Sequence, residues 1–185
     1  MAGSAEPLSP RAREIAAAAR RLLEQGGPHA LSMRAVAAEV GIRAPSLYKH
    51  LADKEALETA IIASGLAELG DVFEAAVAGA TDPLTALAHA YRRWGQDHPH
   101  LYRLSTDRPL PRERLAPGLE DRPARVVVAA CGGDVDAARA VFAFAHGMVM
   151  LELADRFAPD ADVDAAWRTG VEAFRPRHKK RKKKR

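Results

Sequence analysis

A single cysteine, Cys131, stands among 185 residues, so no internal disulfide can form and the fold must be held by its core. Long apolar runs are missing too. The most hydrophobic stretch, Val141 to Leu151, has about half of the roughly 20 residues that a membrane-spanning helix needs, and Arg139 and Glu152 bracket it. With no signal-peptide pattern either, the chain is expected to be cytoplasmic and not to enter a membrane. There is no phosphate-cradling glycine loop, no nucleophile elbow and no paired-carboxylate pattern, so no enzyme and no cofactor are expected. His98 and His100 flank Pro99 with Asp97 adjacent, a set that could ligate zinc. It lacks partner ligands at metal spacing, so it reads as a helix break. Cys131, beside Gly132-Gly133, has neither a second cysteine nor an activating charge, and it reads as a core thiol at a helix end rather than a redox sensor.

What is present is a chain 48% hydrophobic, enough to exclude disorder over most of its length, with a net charge of +4 that conceals an uneven distribution. Nine of the 28 basic residues fall between Arg175 and Arg185, where there is no acid, leaving 19 basic against 24 acidic residues elsewhere. The folded body therefore carries −5, and any affinity for DNA must come from local placement of charge.

That placement centres on LSMRAVAAEVGIRAPSLYKHLADKEAL, from Leu31 to Leu57. Ser32 is an N-cap, and Met33, Val36, Ala37 and Val40 recur at helical spacing behind it. Gly41 ends this helix, because the left-handed residue that closes a helix is cheapest as glycine. Pro45 suits the first turn of a second helix carrying Leu47, Tyr48, Lys49, His50 and Leu51, and Asp53 caps a third. Two short helices around a tight turn make a helix-turn-helix. With Leu47 and Leu51 holding its back, the second has the dimensions of a major-groove reader.

The stretch resembles the DNA-binding domain of tetracycline-repressor (TetR) family regulators. Leu47-Tyr48-Lys49-His50-Leu51 and Lys54-Glu55-Ala56-Leu57 match the family's recognition-helix run and following helix start, with Leu51 where the family commonly has Phe. The resemblance implies that Ser32, Arg43, Pro45, Ser46, Tyr48, Lys49, His50 and Lys54 contact double-stranded DNA. Tyr48 and Lys54 would hold the backbone, while Arg43, Pro45, Ser46 and Lys49 would approach base edges. Arg11 and Arg13, and less so Arg20 and Arg21, are further phosphate candidates on the preceding helix, which Ser9-Pro10 opens and Gly26-Gly27-Pro28 stops.

Past Asp53 the pattern Leu57, Ile61, Ile62, Leu66, Leu69, Val72, Phe73 predicts a long shaft helix with Gly65 and Gly70 as soft points. Helices follow from Asp82 to His98 and around Leu101 to Leu104. A proline-rich loop, Thr106 to Gly118, separates them from a weakly patterned helix at Leu119 to Cys131. Val135 to Phe157 is predicted helical, and its run Val141 to Leu151 is apolar all round apart from His146, so it must be buried on opposite sides, one of them against a second subunit. Asp162 caps a last helix, and Gly147 and Gly170 are expected to permit close approach in a dimer bundle. This half resembles a TetR-type ligand-binding domain, of the subgroup named for a Trp, a His and a Gly, with Trp94, His98 and Gly147 as candidates. Phe73, Tyr91, Trp94, Tyr102, Phe142, His146 and Met150 are the candidate ligand-binding residues, His146 because a polar group on a buried helix needs a partner.

An all-α protein is expected, with a DNA-binding domain at 9–56, a ligand-binding and dimerisation domain at 57–174 and a disordered polybasic tail at 175–185. The resemblance implies a homodimeric repressor of a palindromic operator, released by an unknown small-molecule effector. The alternative is a dimeric nucleic-acid-compacting or scaffold protein acting through its tail. The helix-turn-helix favours the repressor, since a lysine run attracts any phosphate polymer, whereas a positioned Tyr-Lys-His helix is superfluous unless a groove is read.

Overall fold

The computed structural model describes residues 8–175; the leader through Pro7 and the basic run after Arg175 lie outside them. Among the described residues all regular secondary structure is helical. Helix α1 (Pro10–Ala30) starts where Ser9 Oγ accepts from the Ala12 N–H with Pro10 behind it. Ile15, Ala19 and Leu23, one turn apart, are buried along a single stripe. At Gly27, φ is 69°, left-handed, and regular helix breaks there before a last turn ends at Ala30. A Cβ on Gly27 would stand 3.2 Å from the His100 ring, so glycine also lets the later chain close over this end.

Helix α2 (Met33–Glu39) is capped by Ser32, whose Oγ accepts from the Ala35 N–H at 3.1 Å. Gly41, at φ 68°, turns the chain into α3 (Ala44–Leu47). The reader is shorter than the sequence pattern predicts. Regular helix stops at Leu47, and Tyr48 to Leu51 complete it as a turn, with Leu51 N donating to Leu47 O at 3.1 Å. The cause lies just downstream: Asp53 must be extended, at φ −156°, to cap α4 (Lys54–Val77), so the chain leaves the helix early. Leu47 and Leu51 are nevertheless both buried, and the back of the reader is anchored as expected.

Helix α4 is continuous over 24 residues. Gly65 and Gly70 are not soft points in it. A Cβ at Gly65 would lie 3.1 Å from Leu101, and one at Gly70 would lie 3.0 Å from Arg122, so both glycines are places where a neighbouring helix comes close. Around α4 pack α5 (Pro83–Asp97), α6 (Pro99–Thr106) and α7 (Asp121–Ala130), with α8 (Val135–Leu153) and α9 (Val163–Ala173) beyond α5. Residues 107–120 contain one 3₁₀ turn, Arg112–Arg114. Val126-Val127-Val128 lies within α7, where neighbouring helices override its strand propensity. One continuous hydrophobic cluster runs from Ala12 to Val171, through both halves.

On α8 the inward residues are Ala138, Ala145, Met148 and Val149, while Val135, Phe142 and Leu151 are 47%, 53% and 43% exposed. Gly147 has nothing within 4 Å of its would-be Cβ. Gly170 behaves otherwise than expected: a Cβ there would overlap the Phe144 ring of the same chain, so its close approach is spent inside the subunit.

Candidate DNA-binding surface and ligand cavity

Of the eight residues that the sequence points to for DNA contact, all but the half-buried Ser46 are exposed. Tyr48 is the sharpest case, a large aromatic ring left 50% in solvent. Arg43, Lys49, His50 and Lys54 supply donors around it, held by the Ser32 and Asp53 caps, the Gly41 turn and the buried Leu47 and Leu51. Ser32 Oγ is committed to its cap, which leaves its second lone pair and its proton free. Lys54 Nζ lies 3.5 Å from Glu58. Arg114 was not legible in the sequence, where it sits in a proline-rich loop; its guanidinium is 3.3 Å from Glu55 and 3.9 Å from Asp53 and offsets the two acids beside the reader. Arg11 and Arg13 are tied to their own chain, Arg11 to Glu14 and Arg13 to the Leu8 carbonyl. Arg20 pairs with Glu68, and Arg21 stands 3.6 Å from Glu39.

In the second half an apolar cavity of about 40 Å³ lies between α4, α5, α7, α8 and α9. Phe73, Tyr91 and Phe142 line it, together with Leu87, Val127, Val141, Phe144 and Trp167. Trp94, Tyr102, His146 and Met150 do not. For Tyr102 and His146 the physical reason is polar satisfaction: the Tyr91 and Tyr102 hydroxyls are 2.9 Å apart, and the Tyr102 hydroxyl is 2.7 Å from His146 Nδ1. These groups complete each other beside the apolar wall. Tyr102 and His146 also stack, with ring centroids 5.8 Å apart. Burial pushes the Tyr102 phenol up to about 12 and that of Tyr91 well above its ordinary range, so both keep their protons for this relay.

Next to the relay is the joint between the halves. Trp94 Nε1 donates to Glu68 at 2.8 Å, His98 Nε2 lies 3.2 Å from the same carboxylate, and the Leu101 N–H donates to Glu24 of α1 at 3.1 Å. Burial raises the Glu68 pKa, but hydrogen bonds from Arg20 and Trp94 and the nearby charges of Arg20 and His98 outweigh it, so the group is held below its usual 4.5. Glu68 was invisible as a site in the sequence, being one acid among many on a long helix.

A capped helix-turn-helix with an exposed cationic and phenolic reader, joined by a long helix to an aromatic-lined helical body, defines a DNA-binding regulator. The model for bacterial regulatory proteins of the tetR family matches residues 15–61, and that for the tetracyclin repressor-like C-terminal domain matches residues 84–174. The chain belongs to the TetR family of transcriptional regulators, and its relatives are regulators rather than enzymes. It is 28% identical over 173 residues to the uncharacterized HTH-type transcriptional regulator Rv0681 of Mycobacterium tuberculosis, covering 88% of this chain and 79% of that one. Three further mycobacterial HTH-type regulators match over 123 residues at 29% identity, an alignment that spans about half (51%) of their length. A protein with unknown function from Rhodococcus sp. RHA1 superposes with a TM-score of 0.68 at 29% identity, covering 88% of this chain and 92% of that one. The multidrug binding protein EbrR, solved in complex with imidazole, superposes with a TM-score of 0.64 at 25% identity, covering 91% and 97%. Among the described residues no helix is long and apolar enough to cross a membrane.

Proposed function

We propose that the protein is a homodimeric repressor that binds a near-palindromic operator and leaves it when a small apolar or aromatic molecule enters the second half. The observation that carries this reading is α4. One uninterrupted helix of 24 residues, about 36 Å at 1.5 Å per residue, carries Lys54 at one end and Phe73, in the wall of the apolar cavity, towards the other. A displacement at Phe73 is therefore delivered to the reader by a stiff element. At about 40 Å³ the cavity is far smaller than a drug-sized molecule, so any effector must spread its walls, and it will bind the spread conformation preferentially. The likeness to EbrR, a multidrug binding protein, supports a small organic effector.

In this reading Ser32, Tyr48, His50 and Lys54 hold phosphates, and Arg43, Pro45, Ser46 and Lys49 approach base edges. The half-exposed Val135 and Phe142, two turns apart on one side of α8, take a second copy of the chain. A two-fold dimer then presents two readers to successive grooves, about 34 Å apart. Selection of bound genomic DNA by the purified protein tests the first part: a recovered palindrome occupied by one dimer is expected, and random sequence would refute it. Adding a broad panel of apolar compounds to the preformed complex tests the second. An effector must weaken operator binding by the same factor by which operator weakens effector binding. If no compound shifts the melting temperature, quenches Trp94 or Trp167 fluorescence or releases the DNA, the protein is a constitutive regulator.

A further inference from the structure

The chain has five phenylalanines, three tyrosines and two tryptophans, and six of these ten rings, Phe73, Tyr91, Phe142, Phe144, Trp167 and Phe174, border the apolar cavity of about 40 Å³. They form two sets. The Tyr91 ring centroid is 6.1 Å from those of Phe73 and Phe142, and the Phe144 centroid is 5.6 Å from that of Trp167 and 5.8 Å from that of Phe174, all tilted or edge-on. The rest of the wall is leucine, valine and alanine. Only Tyr91 and Trp167 among the lining side chains carry a polar atom, and both atoms are used outside the wall. The Tyr91 hydroxyl meets that of Tyr102 at 2.9 Å, and Trp167 Nε1 donates to Glu152 at 2.6 Å, while neither Tyr102 nor Glu152 borders the cavity. Those partners are themselves held, Tyr102 by His146 and Glu152 by Arg92 and Gln96, so the two donors stay turned away from the space. The backbone amides of the lining residues belong to helices or, at Phe174, to the turn that closes α9 on the Val171 carbonyl.

We propose that this cavity selects a small aromatic hydrocarbon, a single ring with no hydrogen-bonding group. The inference rests on reading the cavity as the effector site and narrows the class of effector. A phenol, alcohol or amine entering it would give up its bonds to water and find none in the wall. An arene loses nothing of that kind, and against six rings it gains edge-to-face contacts that a saturated guest lacks. Size acts in the same direction. The walls must spread for any guest, and one ring spreads them least.

The test is calorimetric titration of the full chain, without DNA, with toluene, ethylbenzene, p-cresol and methylcyclohexane. Toluene should saturate one site per chain. The cresol, which is toluene with one hydroxyl added, should bind at least about tenfold more weakly, and methylcyclohexane should bind no more tightly than toluene although it is the more apolar of the two. Val127→Phe, from α7, should fill the space and abolish toluene binding, with folding checked by its melting curve. Val127→Ala, which widens the space and keeps the fold if the larger side chain does not, should shift preference towards ethylbenzene by about fourfold, the worth of one buried methylene. The proposal is overturned by no saturation with either arene, by p-cresol binding as tightly as toluene, by tighter binding of methylcyclohexane, by undiminished toluene binding in folded Val127→Phe, or by an unshifted preference in Val127→Ala. Adding the same compounds to the complex with selected operator separates this inference from the repressor reading. Toluene that binds the chain and leaves the operator in place supports the selectivity and refutes release through the cavity, whereas release by a polar compound with no binding of either arene refutes the selectivity alone.

Discussion

On the reader, Tyr48, Lys49 and His50 stand in solvent and are positioned from nearby in sequence, by the Gly41 turn, by the Asp53 cap on Ala56 N and by buried leucines on the same turn. In the second half, Tyr91, Tyr102 and His146 are positioned by one another across 11 and 44 residues. The difference follows from what each region handles. A groove reader must present fixed groups outward, and local rules of caps and turns suffice for that. A cavity is made by the facing sides of helices far apart in the chain, so its lining is a property of packing.

Breaking the packed side should have the largest effect on stability. Gly170→Ala forces a Cβ into the Phe144 ring, an overpacking expected to cost about 3 kcal/mol, seen as a lower denaturation midpoint. Operator recognition by the fraction still folded should be unchanged, since the reader's caps are untouched. On the reader the converse holds: Lys49→Ala should lower operator affinity by about 2 kcal/mol and relax the preferred sequence, with no change in melting temperature. Tyr48→Ala should weaken all sequences alike. Binding unchanged in both variants would remove α3 as the reader.

Tyr102→Phe sharpens the comparison, because it deletes one oxygen and no packing. The Tyr91 hydroxyl and His146 Nδ1 are both deprived of a partner, and a stability loss of about 1.5 kcal/mol is expected from urea titration. A smaller effect concerns the joint. The folded-state pKa of Glu68 is depressed below 4.5, so its stabilisation is present above that value and is lost as pH falls through the folded pKa. Wild-type stability should therefore drop below pH 4.5 more steeply than that of Glu68→Gln; parallel curves would show that the joint contributes nothing at acid pH. Smallest of all, deleting residues 178–185 should flatten the salt dependence of binding to random DNA by about 0.9 for each phosphate that the tail neutralises, and spare operator preference. If preference vanished, the tail would have to replace α3 as the source of specificity.

The sequence by itself determined the helical elements and most of their ends. Ser9, Ser32, Asp53, Asp82, Asp134 and Asp162 all cap as side-chain acceptors, because a cap is an interaction between residues two or three apart. It also marked the exposed reader, whose groups need no distant partner. Only the tertiary structure decided that Gly65 and Gly70 are close-packing points rather than hinges, since that depends on Leu101 and Arg122 from other helices. The same is true of Phe144, Trp167 and Val127, which enter the cavity wall while Trp94 turns its indole N–H to Glu68. Helical periodicity fixes which face of a helix is apolar, but which apolar side chain meets empty space depends on how closely the facing helices pack, and that closeness is set by small residues on partners many turns away.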